Sequence, residues 1–398
     1  MILIALRVGY AYNWFDTGPA LPSVGAAFAV GPAQLGILVA SFIVGAGILQ
    51  VPAGLLSLRY GARTVSIAGV ALLAIAGAAS AAAPSFVALV ALRLAAGAGA
   101  GLFFSPAIGL VASLYPTGRR GLPVGTFTTA FSTGAALGIV GSSVLVPWIG
   151  WRAALLFGGA VLGVLAVLAL ALIPSSAGRP APRAQRVARP LALRDRRVWA
   201  IGFAFVGLEG ASFATGQFIV PWGETVQGWS ILLAGVVGMT FVFPSTFGGP
   251  VGGVLAERRR NHRTQFVLAV LGGALVLAAL PVAGLVGAVL IGIVYSFLYG
   301  FVYAVMYVLP HYWRDLPPGE VPLAIGLLNS VQLSGGAVVA VVFGWVVAVR
   351  GYSIGWEYLA AAMAVSLVVL VALGPTPDPS GAGPPSAAAP DRPGAPGP

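Results

Sequence analysis

Three ionisable side chains stand in the middle of long apolar runs: Asp16, Arg93 and Glu209. An ion left alone in hydrocarbon costs on the order of several kcal/mol, so each needs a counter-charge, hydrogen-bond partners or, for the acids, a proton. Asp16 and Arg93 fall at similar depth on two different runs and can pair. Such a pair reads either as a static clamp between helices or as an exchangeable one for which a substrate or a proton competes. Asp16 can also bond backbone loosened at Gly18 and Pro19. Glu209 has no cation in the apolar runs of its own half of the chain, which suits a residue that takes up and releases a proton.

Uncharged polar residues gather on the same kind of run: Asn13, Thr126, Thr129, Gln217, Tyr295, Tyr299, Asn329 and Gln332. Their spacing is helical. Tyr295, Tyr299 and Tyr303 recur every four residues, Thr126, Thr129 and Thr133 every three or four, and Glu209, Ser212 and Gly216 likewise, so each set lies along one face. The tyrosines also admit a reading as an interfacial belt, against which the depth of Tyr299 and Tyr303 counts. Faces of this kind can line one pocket for a small solute and protons. Bond-breaking catalysis would need a nucleophile with its base, or a metal cluster, within the runs, and the sequence offers neither. The only histidines, His262 and His311, fall at loop positions, cysteine is absent, and neither an HExxH helix nor a Gly-rich phosphate loop occurs. The expectation is a protein that is not an enzyme and uses no metal, cofactor or ATP.

Membrane-spanning helices must position these side chains. Of 398 residues 59% are hydrophobic and 8% charged, and mean hydropathy is +0.97. Runs of about 20 apolar residues recur, the length of helix that crosses about 30 Å of hydrocarbon, and none alternates as a barrel strand does. Crossings are predicted near 2–24, 34–57, 62–83, 86–114, 122–146 and 152–174, then near 199–222, 231–256, 264–281, 284–309, 322–349 and 354–374. This is an all-α integral membrane protein of twelve helices in two sixes. The domains are a first bundle over 1–174, an Arg/Pro-rich linker over 175–198, a second bundle over 199–374 and a low-complexity, disordered tail over 375–398. The first run contains Asp16 and lacks a basic leader and a small-x-small cleavage site, so it reads as a retained span rather than a secretory signal.

The net charge of +11 reports topology rather than nucleic-acid binding, because the arginines sort by side. All 21 basic residues are arginine, and sixteen lie in the linker or in loops on its side, whereas the opposite loops hold only Arg152 and Arg350. Arg7 and Arg93 lie within runs and Arg392 in the tail. Basic loops are retained in the cytoplasm during insertion, so both termini and the linker are predicted to be cytoplasmic, in a multi-pass protein of the plasma membrane. The linker can also meet anionic headgroups. The third, sixth, ninth and twelfth runs carry almost nothing polar, the mark of helices that face lipid.

The two sixes repeat one another. GLLSLRYGAR from Gly54 and GVLAERRRNHR from Gly253 align at an offset of 199, which sets Leu58 opposite Glu257 and Arg59 opposite Arg258. GTFTTAFSTGAALG from Gly125 and GLLNSVQLSGGAVV from Gly326 align at 201. The first of these stretches resembles the Gly-x-Leu-Ala/Ser-Asp-Arg-x-Gly-Arg/Lys loop of the major facilitator superfamily. RLAAGAGAG from Arg93 resembles that family's Arg-x-x-x-Gly-x-Gly-x-Gly fourth helix, whose glycines let helices approach closely. The resemblance covers residues 1–374. SPAIGLVASLYPTGRRG from Ser105 and GWR at 150–152 are similar to the branch of organic-anion and cyanate permeases. The glycine-proline signature of many antiporters is missing from the fifth helix, which reads STGAALGIVGS.

The resemblance implies a facilitator fold, with a central cavity lined by the first, fourth, seventh and tenth helices. It also implies a cytoplasmic latch of the outward-facing state, formed by Gly54, Arg59, Gly61 and Arg63 and, after the eighth helix, by Glu257 and Arg258. Leu58 stands where the first motif carries its acid, so that latch is expected to be weak, and the arginines serve equally as topology anchors. The implied function is secondary transport by alternating access, of a small solute with protons as coupling partner, by a monomer in the bilayer. An organic anion suits Arg93 with protons on the two acids. A multidrug or cation efflux antiporter of the same fold, and a transporter-like receptor or sensor without net transport, are the alternatives.

Overall fold

The computed structural model describes residues 1–116, 119, 121–178, 191–258, 262–308, 316 and 321–373, and its regular structure is helical throughout. The tail over 375–398 and the middle half of the linker, 179–190, lie outside the described residues. The first predicted span is two helices, α1 (Ile2–Phe15) and α2 (Leu21–Phe28), parted by a turn that holds Gly18 and Pro19. Single crossings follow in α3 (Pro32–Tyr60), α4 (Ala62–Ala79) and α5 (Phe86–Ser113). α6 (Gly121–Leu172) crosses twice, because at Gly150 the backbone swings to φ 79° and ψ 159° and the chain doubles back. α7 (Arg196–Ala204) and α8 (Val206–Thr225) together make the seventh crossing. It starts at Arg196 rather than 199, where the Asp195 carboxylate caps the helix by accepting from the Arg197 backbone N–H at 2.8 Å. α9 (Ile231–Thr240) and α10 (Ser245–Arg258) form the eighth, interrupted before Ser245 at Pro244. α11 (His262–Ala278) and α12 (Leu285–Val308) are the ninth and tenth, and α13 (Val321–Leu373), broken at Gly351 with φ 80° and ψ 173°, supplies the last two.

Nine described stretches are long and apolar enough to cross a bilayer, and two of them are the doubled helices α6 and α13. With the broken α1–α2 segment this gives the twelve crossings expected, in two sixes. The repeat is visible in the backbone. Gly150 and Gly351, both at positive φ, are 201 residues apart, the offset already seen between the fifth and eleventh runs. Positive φ favours glycine, and the same solution recurs where each half reverses direction. Short 3-10 turns at Ser80–Ala82 and Leu280–Val282 recur in the same way.

Glycine also sets the spacing inside each six. A Cβ on Gly97 would strike the carbonyl of Phe42, and one on Gly45 the carbonyl of Leu94, so α3 and α5 touch backbone to backbone. In the second half Gly248 meets the Phe297 carbonyl and Gly300 the Ser245 carbonyl, which brings α10 and α12 equally close. The third, sixth, ninth and twelfth crossings turn large apolar side chains outward: Ile75, Val167, Leu275 and Val368 are each more than 60% exposed. That surface suits lipid.

Among the described residues the halves meet at one end. At the arginine-poor ends Gly36 of α3 packs on Ala340 and Gly344 of α13, and Gly235 of α9 on Ser143 of α6. Further in, the Ser330 hydroxyl donates to the Gly47 carbonyl at 2.8 Å, and the Ser132 and Ser245 hydroxyls lie 2.7 Å apart. Toward the arginine-rich ends, Gly54 of α3, Gly125 of α6, Gly253 of α10 and Gly326 of α13 each have open space at the Cβ position. The space between the halves therefore opens toward the side that carries the arginines.

Candidate functional site

Asp16 and Arg93 do form an ion pair. Arg93 Nη1 donates to Asp16 Oδ1 at 3.3 Å, with the side chains 2% and 1% exposed. The rest of the guanidinium is held by the Asn13 carbonyl, which accepts from Nη2 at 2.9 Å, and by the Phe42 ring, 4.8 Å away. The Thr17 hydroxyl donates to Asp16 Oδ1 at 3.1 Å. Asn13 in turn donates from Nδ2 to the carbonyls of Gly9 and Gly158, fastening α1 to the second arm of α6. All these groups belong to the first half and are sealed in its packed interior. A buried pair of this kind is costly to break from one side.

The second half carries a hydrogen-bonded chain. The Tyr299 hydroxyl donates to Glu209 Oε2 at 2.7 Å, joining α12 to α8. Tyr303 lies one turn further along, its ring 5.4 Å from that of Tyr299, and its hydroxyl donates to Asn329 Oδ1 at 3.2 Å. Gln332 Nε2 donates both to the Tyr303 hydroxyl at 3.0 Å and to Asn329 Oδ1 at 2.7 Å. The helical spacing of the tyrosines places two of them on this chain. Tyr295 is instead buried against the Phe241 ring, 6.1 Å away.

A second buried arginine changes the reading of the first half. The sequence suggests Arg93 as the cation of the cavity, yet Arg7 is only 5% exposed. Its guanidinium carbon stands 4.6 Å from the Tyr10 ring centre, 4.4 Å from Phe104, 5.5 Å from Phe127 and 4.8 Å from Phe131. Arg7 lies within the first apolar run, but the run alone does not show the rings that enclose it. The signal was available in Arg7 and Tyr10 three apart and in Phe127 and Phe131 four apart, each one helical face.

Other expected residues stand elsewhere. Thr126 and Thr129 turn their hydroxyls back to carbonyls of their own helix, those of Leu122 and Gly125, near the arginine-rich end of α6. Gln217 reaches across the halves to donate to the Trp14 carbonyl, so it belongs to the closed end. Of the predicted latch, Gly54 has open space around it, Arg59 leans on the ring of its neighbour Tyr60 at 5.2 Å, and Gly61 forms the α3–α4 turn. Arg63 caps the end of α6, donating to the Leu170 and Ile173 carbonyls at 2.7 and 2.9 Å. Leu58 is exposed. The side chains of Glu257 and Arg258 lie outside the described residues.

Two sixes of membrane-crossing helices, with a buried ion pair in the first and a polar hydrogen-bonded chain in the second, have the architecture of a membrane transporter. The chain belongs to the major facilitator superfamily, whose model matches residues 3–315. It is 31% identical to the 4-hydroxybenzoate transporter of Pseudomonas aeruginosa over 49% of this chain and 41% of that one. It is 27% identical to a probable nitrate/nitrite transporter of Mycobacterium tuberculosis over 67% and 68% of the two chains. The gallate transporter of Pseudomonas putida is 30% identical over 52% of this chain and 48% of its own. The chain thus matches less than half the length of two of these three relatives. A crystal structure of a D-xylose-proton symporter shares the fold with a TM-score of 0.71 at 18% identity, over 94% of this chain and 97% of that one. Family and relatives are transporters, not enzymes.

Proposed function

We propose that this protein is a proton-coupled secondary transporter of a small organic anion, with halves at 1–174 and 199–374 that rock about a midplane site. The observation that carries the reading is Glu209. Its carboxylate faces a tyrosine hydroxyl at 2.7 Å, and among the described residues the ion pairs are Arg93–Asp16 and Arg197–Asp195, neither of which includes it. A carboxylate so placed is relieved by a proton when the space is closed and releases it when water enters. The arginine distribution supports an open side facing the cytoplasm with both termini there, and the reading is of a monomer in the plasma membrane. The relatives that carry 4-hydroxybenzoate and gallate support an organic acid as cargo.

Reconstitution into liposomes tests the reading. Glu209→Gln imitates the protonated form at all times. It is expected to keep substrate exchange between equal pools while losing uphill accumulation driven by an inward proton gradient. Accumulation equal to the parent's, with the proton gradient as sole driving force, would assign Glu209 a structural role.

A further inference from the structure

We infer that Gln217 is the gate residue of the arginine-poor side: its amide, by donating to the Trp14 carbonyl of the other half, holds that side shut. The inference rests on the reading of the protein as a transporter whose halves rock, and it names the contact that the rocking must break. The bond has a local cause in α1. That helix stops short of Gly18 and Pro19, where the Gly18 N–H turns to the Phe15 carbonyl at 3.3 Å and Pro19 has no N–H to give. The Trp14 carbonyl, four residues before Gly18, thereby loses its helical donor and accepts from Gln217 Nε2 of α8 instead.

The repeat places this bond on the axis between the halves. At the offset of 199 Gly18 corresponds to Gln217 and Trp14 to Phe213. In both pairs a residue touches its own equivalent: the Gly18 Cβ position lies 2.9 Å from the Gln217 carbonyl oxygen, and the Trp14 and Phe213 rings are 5.6 Å apart. In a two-fold arrangement residues meet their own equivalents at the axis, so α1 and α8 approach each other there. The seams on either side are related across the same axis, Gly36 on Gly344 in one and Gly235 on Ser143 in the other, at the offsets of 199 and 201. The bond itself is not symmetric. The three atoms nearest the Gly18 Cβ position all belong to Gln217, so one half supplies a side-chain donor only because the other supplies a glycine beside it.

The gate is layered along α8. Trp14 and Phe213 stand one turn nearer the arginine-rich end, and Phe15 lies 5.4 Å from Phe213. Glu209 is a further turn along, about 12 Å from Gln217 by the helical rise of about 1.5 Å per residue. One helix thus carries both the carboxylate that faces Tyr299 and the amide that closes the arginine-poor side. A hydrogen bond between uncharged groups shifts an equilibrium by about fivefold, which biases the halves without locking them.

The test is the rate at which N-ethylmaleimide labels single cysteines in the purified full-length protein, whose own sequence contains none. Ser143→Cys reports on the arginine-poor seam, where Ser143 is fully buried against Gly235, and Gly125→Cys on the arginine-rich end, where the Cβ position is open. Gln217→Met keeps the length of the side chain and removes the donor. Gly18→Ala keeps the donor and presses a methyl group onto the Gln217 backbone. Each is expected to speed labelling at Ser143→Cys by at least about fivefold and to slow it at Gly125→Cys, the reciprocal change that a shift between two states requires. A protein that is merely loosened is labelled faster at both. Variants are compared only if they elute as monodisperse protein, and should Gln217→Met not do so, Gly18→Ala decides. Unchanged labelling, or faster labelling at both positions, overturns the gate. Accumulation of labelled 4-hydroxybenzoate by the parent in liposomes, under an inward proton gradient, decides the transporter reading separately. Accumulation with unchanged labelling removes the gate alone, and opposite shifts without accumulation support the gate and count against an organic acid as cargo.

Discussion

At the scale of single residues, the two buried arginines have different surroundings: rings enclose Arg7, and a counter-charge meets Arg93. Arg93 is met on all sides by its own bundle: Asp16, the Asn13 carbonyl and the Phe42 ring. It fastens α1 to α5, so of the two readings open at the level of sequence the geometry favours the clamp. Arg93→Ala strands Asp16 as a buried charge and is expected to destabilise the protein by about 3–5 kcal/mol, the usual cost of removing one member of a buried pair. Replacing both, as Asp16→Leu with Arg93→Met, should recover most of that stability and retain transport. Thermal unfolding followed by fluorescence, together with uptake in liposomes, checks both statements, and a stable but inactive double variant would return the pair to the transport mechanism. The pair itself was legible in the sequence, because two opposite charges stranded in apolar runs have few other solutions. Arg7 was not. Its place within a run was plain, but only the fold brings Phe104, Phe127 and Phe131 from two other helices around it.

At the scale of helices, the sequence showed where crossings lie but not where they bend. Gly18 with Pro19, and Pro244, split two predicted spans into shorter helices. The joins at Gly150 and Gly351 are so tight that each pair of crossings runs on as one helical stretch. The spacing of glycines in RLAAGAGAG was informative for a plain reason: a residue without a side chain is needed wherever two backbones touch. A Cβ on Gly97 falls onto the Phe42 carbonyl, which belongs to a backbone that cannot swing aside as a flexible side chain can. Gly97→Val is therefore expected to force α3 and α5 apart at a cost of about 1–3 kcal/mol or more, by the standard of overpacked cores. Gly109→Val on the same helix, where the Cβ meets open space, should cost far less. The melting temperatures of the two variants, measured in the same detergent, give the comparison. Equal losses would show that helix propensity rather than helix contact governs both. In the conformation described, Arg63 of the loop motif donates to carbonyls at the end of α6.

At the scale of the molecule, the two halves close one end with small residues, and the repeat says how the other end must close. Gly36 and Gly344 let α3 and α13 meet at the arginine-poor side, and Gly235 does the same between α9 and α6. At the opposite ends of the same crossings stand Gly54 in α3, Gly125 in α6, Gly253 in α10 and Gly326 in α13, two pairs related by the offsets of 199 and 201, each with nothing within 4 Å of its Cβ position. A pair of halves that rocks about a central site must bring these ends together in its other state, and backbone contact there would need the same absence of side chains. Gly326→Leu fills empty space in the conformation described and is expected to leave the melting temperature unchanged within about 0.5 kcal/mol of stability, as surface substitutions usually do. In the alternate conformation the added side chain obstructs closure, so transport should fall at least about tenfold, which corresponds to about 1.4 kcal/mol against the closed state. Single cysteines introduced at the two ends report the shift: labelling at the arginine-rich end should persist or rise, and labelling at the arginine-poor end should be lost. Normal transport by a folded Gly326→Leu protein would mean that the halves close without bringing α3 and α13 together at that end.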